Sequence, residues 1–337
     1  EASHIIDILE KELIYLTGGR DRQGGPVITF PTHRQHVGFN IEDITTCLKY
    51  LAQIPSEESK RRGVTVVIDS RDGSWSNLVT VLGCLKESLG DFLKQVLVIK
   101  QDGADRRSSS SSFRRDKPNI EPEFISVNRL YTFVDRNQLT GMFAGSLLYY
   151  HRDWLSNRLD LEKFIRETRA ASNHLDNLEY QIHQMVGRRE PSSPIESSRQ
   201  HRHLQQEIKH VSSQVIRDGK ELLNRLQQQE ERYPDDIDPV STLDHLEAQK
   251  QVKRLVQYME NRIDKLQNLV EDQDRSVVTN QKFEELQRHI KSVLSWILGP
   301  GEKLLASQTD IGDSYEAADE LRKRHEELEI KCTDTYG

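Results

Sequence analysis

Cysteine is scarce: Cys47, Cys84 and Cys332 are the only three in 337 residues. No two have metal-site spacing, and an odd count argues against a disulfide framework, so the chain reads as a protein of a reducing, cytoplasmic compartment. Aromatic residues make up 7% and hydrophobic residues 35%, against 30% charged. That is polar for a compact globule and typical of long helices with wide solvated faces. No apolar run approaches the roughly 18–20 residues needed to span a bilayer. The net charge of −7 gives no overall basic signature, so nucleic acid is not expected as a partner. The chain begins at Glu1 without Met and stops at Gly337 just past a helical pattern, which reads as a piece of a longer protein.

Glycine and proline divide what is present. Up to about Tyr150, short apolar runs alternate with Gly and Pro punctuation. Beyond it the only glycines are Gly187, Gly219, Gly299, Gly301, Gly312 and Gly337. The first part reads as α/β and the second as all-α. Leu13–Leu16 and Val27–Phe30 are strand-like, and the glycines between Gly18 and Gly25 suit a hairpin turn. Ile41–Ile54 has helical spacing and stops at Pro55. Val64–Ile68 is a continuous β-branched run suited to a strand covered on both faces. Leu78–Leu89 reads as helix and Val96–Ile99 as the next buried strand, a βαβ crossover. Phe124–Val127 gives another short strand and Arg129–Phe133 a short helix. Residues 101–123 interrupt this order. Ser108 through Ser112, flanked by Arg106, Arg107, Arg114, Arg115 and Lys117, predict a mobile low-complexity loop.

The second part shows heptads. Leu161, Phe164, Thr168, Ala171, Leu175, Leu178, Ile182 and Met185 alternate spacings of three and four. Leu204, Ile208, Val211 and Val215 do the same, continuing through Leu222 and Leu226, and so do Val252, Val256, Met259, Ile263, Leu266 and Val270. Each is a coiled-coil seam. Turn chemistry at Gly187–Pro194 and Tyr233–Pro239 divides them into an up-down-up bundle. No Pro or Gly follows Val270 until Gly299, while Phe283, Leu286, Ile290, Val293 and Ile297 resume the stripe. The third helix is therefore expected to run unbroken into the first helix of a second bundle, as a stiff rod.

Two stretches carry a family likeness. Tyr15 through Asp21 and Gly25 through Pro31, with Leu51 through Glu58, Val67-Ile68-Asp69, Val134-Asp135 and Gln138-Leu139-Thr140, resemble the opening of the CRAL-TRIO domain in the Trio/kalirin family of Rho guanine-nucleotide exchange factors. Trp296-Ile297, Asp310 through Ser314 and Ala317 to Glu327 resemble a spectrin repeat: a helix-A tryptophan, a loop and the start of helix B. A shorter relative, made only of one such lipid-binding domain plus spectrin repeats, shares the opening, and the glycine-rich hairpin favours Trio/kalirin. The resemblance implies a CRAL-TRIO-like domain over residues 1–152, a first spectrin repeat over 153–275 and the start of a second over 276–337. The sequence departs from the family at 101–118, serine- and arginine-rich with Phe113 its only aromatic, where the wider fold carries the gate of a lipid pocket.

Several residues invite chemistry. The Gly18–Gly25 segment lacks the Gly-Lys-Ser/Thr ending and following helix of a phosphate loop, so it reads as a turn. Asp69 ends a buried strand beside Arg71 and Asp72. It stands where open α/β sheets place ligands, or it caps a helix or pairs with an arginine. His201 and His203, two apart on a helix, face different ways and do not suit a metal. No nucleophile–base set can be assembled, so no enzyme, catalytic residue or cofactor is expected. Arg106, Arg107, Arg114, Arg115 and Lys117 could meet anionic lipid headgroups or simply be solvated. Phosphorylation at Ser108, which follows Arg107, would cancel part of their charge.

The expectation is a non-catalytic lipid- or phosphoinositide-binding and scaffold region, cytoplasmic and peripheral to the inner face of the plasma membrane, with protein partners on the solvated faces of the spectrin repeats. The resemblance implies a parent that activates Rac- and Rho-class GTPases in cytoskeletal signalling and axon guidance. A lipid-transfer protein of the CRAL-TRIO type is the alternative, as is a spectrin scaffold without an exchange domain.

Overall fold

The computed structural model describes residues 1–32, 40–72, 78–101, 121–187, 194–231 and 242–336. The amino-terminal part runs α1 (Ile6–Leu9), β1 (Tyr15–Arg20), β2 (Pro26–Phe30), α2 (Ile41–Leu51), α3 (Glu57–Arg61), β3 (Val64–Asp69), α4 (Leu78–Leu89), β4 (Leu93–Ile99), β5 (Glu123–Ile125) and α5 (Val127–Leu130). The five strands form one sheet in chain order. β1 is antiparallel to β2, and β2 through β5 run parallel.

Period-two alternation sorts the parallel strands between two cores. Ile28, Phe30, Val66, Ile68, Val96 and Val98 pack with α2 and α4 on one face. Val27, Val67, Leu97, Ile99 and Ile125 face the other way, against Leu130, Val134, Leu139 and Phe143. The unalternating β-branched run of β3 is thus accounted for, since both of its faces are covered. Each fully buried side chain of this size stabilises by about 1.5–3 kcal/mol. Asn40 caps α2 by accepting from the Glu42 N–H, and Ser56 caps α3 through the Ser59 N–H.

The hairpin differs from its expected form. β1 continues through Gly18 and Gly19 to Arg20, with a register break between Leu16 and Arg20. The turn itself is residues 21–25, closed by the Asp21 N–H donating to the Gly25 carbonyl and the Gly24 N–H donating to the Asp21 carbonyl. Gly24 supplies the positive φ of the turn, and Gly18 supplies one within the bulged strand.

The helical part runs α6 (His151–Gly187), α7 (Pro194–Glu231), α8 (Leu243–Trp296), a π turn at Ile297–Gly301, α9 (Glu302–Ala306) and α10 (Tyr315–Tyr336). The expected breaks fall at 188–193 and 232–241, outside the described residues. α8 is continuous from the Val252–Val270 stripe through the one that resumes at Phe283, with Pro300 carried in the π turn. Contacts divide the chain into two compact units: Glu1–Asn177 with Lys209–Ile263, and Leu178–Ile208 with Asp264–Gly337.

In the first unit Leu161, Phe164, Leu175, Val215, Leu222, Leu226, Val252, Val256 and Met259 are buried, as heptad positions should be. Val211 is only half-buried, and Ser212 beside it is the buried one. In the second unit Leu178, Ile182, Leu204, Ile208, Leu266 and Val270 are buried. Phe283, Leu286 and Ile290 are 50–59% exposed, and Trp296 is half-buried against Gly301.

Candidate functional site

The parallel strands end together at one edge of the sheet, the place where open α/β folds bind ligands. Asp69 closes β3 there with a fully buried side chain. Its two oxygens accept from Arg71 Nε at 2.9 Å and Nη2 at 2.6 Å, and the Arg71 N–H also donates to it. Arg71 Nη2 donates to the Met142 carbonyl at 3.0 Å, and the guanidinium stands 5.8 Å from the Phe143 ring centre. The hydrogen bond to Asp69 holds Arg71 above even its ordinary range. Such a two-toothed pair is strong and geometrically fixed. The arginine-pairing reading of Asp69 therefore holds.

β4 leaves this edge at Lys100, whose ammonium lies 4.3 Å over the Phe124 ring of β5. Between those strands runs the connection that carries Arg106, Arg107, Arg114, Arg115 and Lys117. These five expected headgroup residues lie outside the described residues, and so does Ser108.

At the opposite end of β3 the hairpin turn is built on Asp21. Its carboxylate accepts from Thr65 Oγ1 at 2.7 Å, Lys94 Nζ at 2.5 Å and the N–H groups of Gln23 and Gly25. Burial alone would raise its pKa. Bonds from Lys94, Thr65 and the two backbone amides outweigh that and hold the carboxyl below the usual range.

Sequence reasoning missed a polar seam between the α/β part and the helices of the same compact unit. Glu162 on α6 accepts from the Ala2 N–H at 2.6 Å, the Tyr50 hydroxyl at 2.8 Å and Arg158 Nε at 2.9 Å. The two ring nitrogens of His151 meet the Leu9 carbonyl and the Tyr149 hydroxyl, each at 2.8 Å. A carbonyl only accepts, so Nε2 is the donor to Leu9. Trp154 stacks on His151, and Leu155 enters the α/β core. Ser56 Oγ donates to Glu247 on α8 at 3.1 Å, and Arg20 on β1 pairs with Asp244 on α8. None of the pairs that join the α/β part to the helices has a local sequence signal; their partners lie 112 to 224 residues apart.

In the second unit His201 is buried against Asp274 at 3.0 Å, whereas His203 is exposed towards Glu207. The two do not converge. Among the described residues no group of three or more metal-ligating side chains comes together, and no helix is long and apolar enough to cross a membrane.

No protein-family model matches the chain. Across 100% of its length it is similar to SEC14 domain and spectrin repeat-containing protein 1, at 31% identity for the Homo sapiens protein and 33% for the Danio rerio one. Over 95% of its length it is 26% identical to Guanine nucleotide exchange factor DBS of Homo sapiens. It spans about half of the first two relatives, 47% and 46% of their length, and 28% of the third. The five-stranded α/β layer, the three heptad-bearing helices and these similarities along the chain agree with a Trio-like region in which a CRAL-TRIO-like α/β domain is followed by spectrin-repeat helical bundles.

Proposed function

We propose that this region is a non-catalytic lipid-binding scaffold. Its α/β domain docks a phosphoinositide or another anionic lipid through Arg106, Arg107, Arg114, Arg115 and Lys117. The solvated faces of its helices hold protein partners, and it acts in the cytoplasm at the inner face of the plasma membrane. The observation that carries the reading is the seam of Glu162, His151, Ser56 and Arg20, which fastens the α/β domain to spectrin-type helices as one compact unit. A lipid-anchored domain so fastened sets the position of the helices it carries. Filling of both sheet faces by the chain's own side chains favours headgroup docking over extraction of a whole lipid.

Two parents fit. In one, the region belongs to an exchange factor acting on Rac- or Rho-class GTPases in cytoskeletal signalling and axon guidance. In the other, it belongs to a SEC14-and-spectrin scaffold with no exchange domain. The identities of 31–33%, against 26% for the exchange factor, favour the second. In neither does this chain accelerate nucleotide release from a Rac-type GTPase by itself, and measured acceleration would refute the scaffold reading.

The lipid reading is tested by sedimentation with phosphoinositide-containing vesicles. Each basic residue near an anionic surface contributes about 1 kcal/mol before salt screening. Replacing Arg106, Arg107, Arg114 and Arg115 by Gln should weaken binding at least tenfold at low salt. Unchanged binding would mean that the cluster is only solvated.

A further inference from the structure

Arg20, at the end of β1, and Asp244, in the first turn of α8, form an ion pair whose side chains are only 6% and 15% exposed. The pair is incompletely satisfied. Arg20 Nε, Arg20 Nη1 and Asp244 Oδ2 are buried without a hydrogen-bond partner among the described residues. Burial raises the Asp244 pKa; Arg20 and Arg158 oppose the shift without cancelling it, while Glu247 adds to it. A buried pair with orphaned atoms is a poor source of stability, because desolvation consumes most of its Coulomb attraction. Its partners must therefore be explained by something other than net stabilisation.

The surroundings supply the explanation. α8 meets the hairpin at close quarters: a Cβ on Gly18, at φ +82°, would fall 2.6 Å from Thr242 Cβ. The first turn of α8 is also held by the His245 ring, which donates from Nε2 to the Leu226 carbonyl of α7, and by Ser56 on Glu247. Apolar helix faces repeat every turn, so greasy contacts alone tolerate a slide of one turn. Arg20 does not tolerate it. A slide of one turn that brought Ala248 to the place of Asp244 would leave the guanidinium a buried charge without its partner. The analogous use of one buried polar residue to fix register in coiled coils is the best-attested role for such groups.

We propose that the Arg20–Asp244 pair is a register lock, which fixes where the first turn of α8 seats on the β1–β2 hairpin and contributes little to stability in doing so. The test uses the full chain with Arg20→Met, Asp244→Leu and the double variant. Removing one partner strands the other, so each single variant should melt about 5–10 °C lower. The double variant should melt within about 2 °C of the parent, or above it. Spin labels at the exposed positions Glu10 and Lys250, in a Cys332→Ser background, should give one narrow distance in the parent and a broadened or split distribution in the double variant. A double variant that melts as low as the singles, or one whose distance stays as narrow as the parent's, overturns the proposal. If Arg20→Met does not fold, Arg20→Lys, which keeps the charge but loses the planar fork, takes its place in the comparison.

Discussion

The Tyr50 hydroxyl on α2 donates to the Glu162 carboxylate on α6 across 2.8 Å, a contact between residues 112 apart. The same carboxylate serves the Ala2 amide and Arg158. Glu162→Ala should therefore strand more than one group and cost about 2–4 kcal/mol, whereas Tyr50→Phe, which removes one hydroxyl, should cost about 1 kcal/mol. Urea unfolding followed at 222 nm measures both. Equal losses would mean that Glu162 is not the hub of the seam.

Gly25 and Gly83 make a paired test of close approach. A Cβ on Gly25 would lie 2.1 Å from the Gly63 carbonyl oxygen, which is backbone and cannot swing away; at Gly83 it would meet nothing within 4 Å. Gly25→Ala should lower stability by about 2–4 kcal/mol. Gly83→Ala, on an exposed face of α4, should be neutral or stabilising by up to about 1 kcal/mol. Chemical denaturation of the two variants checks the contrast.

Asp21 should make stability depend on pH. Its folded pKa lies below the ordinary carboxylate value, so the native state favours the ionised form. Its contribution is complete above the unfolded pKa and is lost as pH falls through the folded one. The stability gap between parent and Asp21→Asn should therefore be largest near pH 7 and close progressively below about pH 4. A gap that widens on acidification would contradict the assignment.

Leu266 and Leu286 sit on the same helix in opposite circumstances, the first fully buried and the second 55% exposed. Leu266→Ala should cost about 2–5 kcal/mol. Leu286→Ala should change stability by less than about 0.5 kcal/mol. Thermal melts of the two decide whether the second apolar stripe is covered in solution.

Much of this architecture was legible. Heptad spacing identified Phe164, Leu222, Val256 and their neighbours as core, because a helix repeats its buried face in the sequence itself. The β-branched run at Val64–Ile68 identified a strand covered on both sides. Asp69 and Arg71 could be paired from the sequence since only one residue separates them. The glycines were harder. Gly18 reads as turn chemistry, but its lack of a side chain is used to admit Thr242, more than 220 residues along the chain. Glu162, Ser56 and Arg20 look like ordinary surface residues because nothing local records a distant partner. The preference for the exchange-factor branch rested on the same glycines, whereas the higher identities lie with the SEC14-and-spectrin proteins.

The separation of 224 residues between Arg20 and Asp244 also has a meaning during synthesis. At 5–20 residues per second, a ribosome needs about 10–45 s to make Asp244 after it has made Arg20. The sheet, whose strands pair in chain order, can assemble long before then. For that interval Arg20 and Gly18 lack the α8 residues that cover them in the folded chain, and this end of β1 stays open to chaperones until the start of α8 emerges.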